Sequence, residues 1–180
     1  MSLQLRLRRW ARRFGCDTKG VSAVEFALVL PLMLTLYLGG AEVAQAISAS
    51  RKVTLASRTV ADLASQYSTI SEANMTNLLN ASAAVISPFS SSALTVTVSQ
   101  VKIDANGNAS IDWSKSRNGT ARSGSVTLPE ALKVPNTWLI WSEAEYGYTP
   151  AIGYAMTGTL QLKDQMYMRP RLSPSVKYPP

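Results

Sequence analysis

The thirteen residues Phe26 to Leu38 (FALVLPLMLTLYL) carry no charge, and they sit directly downstream of a cluster of arginines. Extended from Val21 to Ala41, the run is 21 residues long with Glu25 as its only charge. A helix of about 20 apolar residues crosses the hydrocarbon core of a bilayer. Residues 1–20 hold Arg6, Arg8, Arg9, Arg12, Arg13 and Lys19 against Asp17, so most of the chain's net charge of +7 lies in this flank. Cationic residues beside a spanning helix stay in the cytoplasm. The expectation is therefore a single-pass membrane protein, with its N-terminus cytoplasmic and the rest exported. A buried core helix would be as apolar but gives no reason for five arginines before it. A nucleic-acid surface spreads its charge across a fold with aromatics nearby, so inner membrane lipid is the expected partner and nucleic acid is not.

Chemistry is narrowed by what is missing. The chain has no His and one Cys. That removes the usual general base near neutral pH, zinc sites built on His or several Cys and an intramolecular disulfide. There is no P-loop or dinucleotide fingerprint and no G-x-S-x-G. Glu143 and Glu145 share a strand face at a spacing that could serve acid/base work, but a solvated face explains them more simply. Asp104, Asn106, Asn108, Ser110 and Asp112 alternate like a calcium loop, yet the positions that need Gly and Glu hold Ala109 and Lys115. No enzyme activity, cofactor or metal is expected.

Three fates compete for the N-terminus. Ala44-Gln45-Ala46 offers a signal-peptidase site, which would release a secreted binding module; an uncut signal anchor would give a membrane-anchored one. A lipid anchor on Cys16 fails because no apolar stretch precedes it. The third fate is a leader cut before the apolar helix, which is then retained. Gly20 is followed by Val21-Ser22-Ala23-Val24-Glu25-Phe26: a glycine, four small or apolar residues, an acid and an aromatic. Glu25 near the end of a membrane segment needs a partner, because a carboxylate costs about 2.5–3.5 kcal/mol at the bilayer centre and less near an interface. A cut after Gly20 would create a new α-amine on Val21, four residues away.

With its charged leader, the segment Gly20-VSAVEFALVLPLML resembles the TadE-like minor pilins, or pseudopilins, of the tight-adherence (Flp) pilus. The resemblance implies cleavage between Gly20 and Val21 by a prepilin peptidase, with Glu25 and Phe26 serving processing or assembly. It implies other pilins or pseudopilins and the pilus assembly platform as partners, a place in the bacterial inner membrane with the head periplasmic, or in the pilus, and support of surface adhesion.

Past the membrane run, Ala46, Ala49, Val53, Ala56, Val60, Leu63, Tyr67 and Ile70 recur at helical spacing. Val60 to Ile70 should cover the chain's own sheet, leaving the part nearer the membrane for helix–helix contact. Pro31 and Gly39-Gly40 predict a kink. Thr69-Ile70-Ser71-Glu72 reads as a capping box with Thr69 at the N-cap, opening a second helix closed by Ser87-Pro88.

Strand signals follow. Leu94, Val96 and Val98 alternate with polar residues, while Val101 and Ile103 continue in the other phase, predicting a bulge near Gln100. Asn106-Gly107 predicts a hairpin returning through Ala109, Ile111 and Trp113. Residues 114–125 read as a mobile loop, and Thr127 to Lys133 as a short helical turn. Thr137–Tyr148 and Thr159–Arg169 read as strands, with Trp138 in the core and Trp141 as an interface anchor. The expected fold is α+β: a long N-terminal helix, transmembrane then amphipathic, a second short helix and an antiparallel sheet of about four strands. The domains are a leader (1–20), a transmembrane segment (21–41), a helix extension (42–70), an extracytoplasmic head (71–169) and a Pro-rich tail (170–180).

Overall fold

The computed structural model describes residues 19–151 and 158–179. The charged leader before Lys19, including Cys16, lies outside the described residues, as does most of the connection 149–158. The chain divides into a unit ending at Val43 and a unit beginning at Ala44.

Helix α1 (Lys19–Ser65) opens in the first unit and is continuous through Pro31 and Gly39-Gly40. Pro31 removes one ladder donor, and the Thr35 hydroxyl bonds back to the Pro31 carbonyl at 2.8 Å. Every residue from Gly20 to Ala41 is exposed. Among the described residues this is the one helix long and apolar enough to cross a membrane, with a window of mean hydropathy 2.0 that is wholly unburied. That pattern fits a single-pass membrane protein.

The second unit, the head, packs the later part of α1 and helix α2 (Glu72–Val85) on one face of a five-stranded antiparallel sheet. Its strands are β1 (Leu94–Ile103), β2 (Ala109–Arg117), β3 (Ser125–Val126), β4 (Thr137–Tyr148) and β5 (Leu160–Met168), in the order β3-β2-β1-β4-β5. The helical seam is present and buried: Ala49, Val53, Ala56, Val60 and Ala64 meet Leu94, Val96, Val98, Ile140 and Ala144. It covers the chain's own sheet from Ala49 onward, not only from Val60, so less of it is left for another helix than the spacing implied. Small residues let helix and sheet approach closely enough for Ser57 Oγ to donate to the Ser142 carbonyl at 3.1 Å.

The change of phase along β1 has a different cause from the expected one. Val101 and Ile103 point to the opposite face, where Leu139, Trp141, Ala109 and Leu128 form a second apolar cluster flanked by Val126 and Leu132. A bulge does lie at this point, but the extra residue is on β2. Gln100 pairs with Trp113 and Val101 with Ile111, leaving Asp112 unpaired in the ladder. The hairpin forms as expected, with Gly107 at φ 82°. The Asp104 carboxylate accepts from the Asn106 and Asn108 backbone at 2.8 Å each. Asn108's side chain, followed by its backbone N–H, holds the Asp104 carboxyl below its usual pKa.

Four local expectations need correction. Residues 114–117 belong to β2, where Ser114 and Ser116 hydroxyls each meet a β1 hydroxyl (Ser99 and Thr97) at 2.8 Å. Ser125–Val126 adds a short fifth strand. The N-cap of α2 is Ser71, whose side chain accepts from the Asn74 N–H at 3.3 Å; Thr69 instead forms a parallel bridge with Lys177. Ser71→Ala should therefore destabilise the head by about 1 kcal/mol, read as a shift in urea midpoint of the detergent-solubilised chain. Thr69→Ala should change the midpoint little, and the reverse ranking would restore the Thr69 cap.

The fourth correction concerns the end of the chain, where residues 170–179 are a strap and not a loose tail. The last carbonyls of a helix lack intrahelical donors, and the Arg171 N–H supplies one to Ser65 at 2.9 Å. Ile70 N–H donates to Lys177 and Lys177 N–H to Ser68, both at 2.9 Å. Val176 is fully buried, and its carbonyl accepts from Trp113 Nε1 at 2.8 Å. Arg171 also pairs with Asp62.

Candidate functional site

Gly20, Val21, Glu25 and Phe26 lie together within the first turns of α1. A Cβ on Gly20 would meet nothing within 4 Å. Val21 is 55% and Phe26 60% exposed. Glu25 follows Val21 by four residues, so both lie on one face of the helix, about 6 Å apart along its axis. Side chains tilt toward the helix N-terminus, which aims the carboxylate at the backbone of Val21. A helix that began at Val21 would carry positive charge at that end from its free N–H groups, which favours an acid in the first turns. Glu25 makes no hydrogen bond or ion pair among the described residues. The arrangement contains no nucleophile and no acid–base pair; its chemical content is one carboxylate on an otherwise apolar, unburied rod.

Residues 20–62 match the family model of TadE-like proteins. The match begins at Gly20 and ends within α1, so it covers the TadE-like stem and most of the inward seam, about a quarter of the chain. The sheet lies outside it. No curated protein and no solved structure matches the chain. The match suggests a protein associated with the Tad pilus.

The head carries a second feature, on the sheet face turned away from α1. Thr95 and Thr97 of β1, Glu143 and Glu145 of β4, and the loop 119–123 line a groove of about 510 Å³. Arg122 donates from Nε and Nη2 to the two carboxylate oxygens of Glu143 at 2.9 and 2.7 Å. Its guanidinium lies 5.5 Å from the centre of the Trp141 ring, and its backbone N–H donates to Ser114 Oγ at 2.9 Å. The hydrogen bonds to Glu143, then that residue's charge, raise the Arg122 pKa above its usual value. Lys163 Nζ sits 2.6 Å from Glu145. The two glutamates do share a face, but each is held by a cation, which is not how a working acid–base pair is arranged.

Trp141 is buried at 8% exposure, stacked 5.8 Å from Tyr167 with 13° between the rings. Trp138 is only half-buried. Trp141, and not Trp138, is thus the core residue, because the face with odd-numbered β4 residues has a core of its own. Burial, followed by the charge on Glu143, raises the Tyr167 pKa. Sequence reading missed Arg122: nothing in a Gly/Ser-rich stretch indicates that one arginine folds back onto the sheet.

Proposed function

We propose that the chain is a non-enzymatic minor pilin or pseudopilin of a Tad (Flp-type) pilus. The observation that carries this reading is the TadE-like stem: an unburied apolar helix whose lone acid stands five residues beyond a glycine. A prepilin peptidase removes residues 1–20 on the cytoplasmic side. The α-amine freed on Val21 neutralises Glu25, in its own chain or in a neighbouring subunit. The stem stays in the inner membrane, or enters the pilus, by packing against other pilin stems. The head lies on the periplasmic side and contributes to pilus biogenesis and surface adhesion through its contacts with partner subunits.

Intact-mass analysis of protein extracted from membranes tests this. A mature chain beginning at Val21 is expected. A product beginning at Ala41 or Ile47 would sink the proposal. A soluble periplasmic product starting at Ile47 would instead support a secreted binding module: it would keep the buried seam from Ala49 onward and discard the apolar run.

A further inference from the structure

The loop from Asn118 to Ser125 is exposed throughout. Its first residues are anchored, since a Cβ on Gly119 would come within 2.6 Å of Thr95 Cγ2 and Asn118 Nδ2 donates to the Leu94 carbonyl at 3.0 Å. Between Thr120 and Ser123, the described hydrogen bonds all belong to Arg122. The Gly/Ser-rich segment has no buried apolar side chain to offset the entropy of ordering it. One residue, through its side chain and its backbone N–H, therefore keeps this stretch of loop on the sheet.

Arg122 rests on a set of groups that together recognise a planar cation. The Glu143 carboxylate accepts in a two-pronged fork, the geometry that matches a guanidinium. The Trp141 face offers a cation–π contact, and stacking on Tyr167 fixes that ring independently of Arg122. Glu145 adds a second carboxylate on the same strand face, and Thr95 and Thr97 also line the groove.

We propose that the Glu143–Trp141 seat at the edge of this groove is a receptor for an arginine side chain presented by an extended segment of a partner protein, and that Arg122 occupies the seat as an internal stand-in when no partner is bound. An incoming arginine would make the same fork and the same ring contact. The displaced loop would recover conformational freedom, so the exchange loses little. With Arg122 withdrawn, the ion pairs among the described residues leave Lys163 on Glu145 and no cation on Glu143, so the seat favours a basic segment. Lysine is a poorer fit because a point-charge ammonium can neither fill the fork nor stack flat on the ring. The site lies in the head and does not depend on how the stem is processed.

Calorimetric titration of the full chain in detergent micelles, using acetyl-Gly-Arg-Gly-amide and its Lys counterpart as probes, tests the proposal. Arg122→Ala should bind the Arg probe at least about tenfold more tightly than the unaltered chain, because it no longer competes with its own plug. The Lys probe should bind more weakly than the Arg probe. Adding Glu143→Gln to Arg122→Ala should abolish the gain. No gain with Arg122→Ala, equal binding of the two probes, or a gain that survives Glu143→Gln would each overturn the assignment. In a chain carrying only Glu143→Gln, exchange of the Arg122 amide, whose N–H donates to Ser114 Oγ, should rise at least about tenfold while the α1 seam is unaffected. Unchanged exchange there would show that Arg122 is not what holds the loop, and would overturn the proposal even if Arg122→Ala failed to fold.

Discussion

With Gly20→Val, the uncut precursor should accumulate and the mature chain should nearly disappear. Gly20 sits at the start of α1 with open space for 4 Å around the place a Cβ would take, so a larger residue meets no steric resistance from the fold. The buried head is untouched, since its first fully buried residue is Ala49. Failure to cut would therefore report recognition at the scissile bond and not misfolding. A peptidase site that accepts hydrogen at this position rejects a branched side chain sterically, which should lower cleavage by at least about tenfold. Intact mass and the thermal midpoint of the same preparation separate the two effects. Processing at the unaltered rate, with an unchanged midpoint, would remove Gly20 from the cleavage site and with it the prepilin reading. An ordinary signal peptidase acting after Ala46 would be indifferent to this substitution.

The second large effect is expected at a glutamine in the middle of a strand. Gln100 is 1% exposed. Its Oε1 accepts from the buried Val176 N–H at 2.6 Å, and its Nε2 donates to Asp112 at 2.6 Å. One side chain thus connects β1, the bulged residue of β2 and the C-terminal strap. Gln100→Ala would strand the Val176 N–H inside the core and open a void beside it. An orphaned buried donor costs about 1–3 kcal/mol, and the void adds to that, so a loss of about 3 kcal/mol is expected. Urea unfolding of the full chain in detergent would measure it, and hydrogen exchange should locate the first loosening at Ile70 and Lys177, whose amides bond across the strap. A loss below about 1 kcal/mol would mean that the strap is held by its other contacts, chiefly the Arg171–Ser65 bond and the packing of Tyr178 on Trp113.

Much of the fold could be read from local pattern. The apolar run, the helical seam, the Asn106-Gly107 hairpin and both long strands after residue 136 follow from periodicity and turn chemistry, which depend on neighbours within a few residues. The proposal for the N-terminal part of α1 also rests on local pattern, because Gly20, Val21, Glu25 and Phe26 fall within seven consecutive residues. The misreadings share a different character. Trp141 looked solvent-facing because alternation reports that a strand has two faces, not that both are covered. The bulge near Gln100 is present, but its extra residue is on β2, and the phase change at Val101 is the trace of a second core on the far side of the sheet. The strap looked like a tail because prolines and serines carry no periodic signal, although its amides complete the end of α1.

Taken alone, the sequence determined that this chain has one apolar segment able to cross a membrane, with a cationic flank before it and one acid inside it, because length, charge and hydropathy are properties of consecutive residues. Only the tertiary structure decided that Arg122 lies across Glu143 and Trp141, that Gln100 joins three elements and that residues 170–179 close the head. Those contacts join residues between 12 and 109 positions apart, and local propensity carries no information about which distant hydrogen-bonding group will satisfy a buried one.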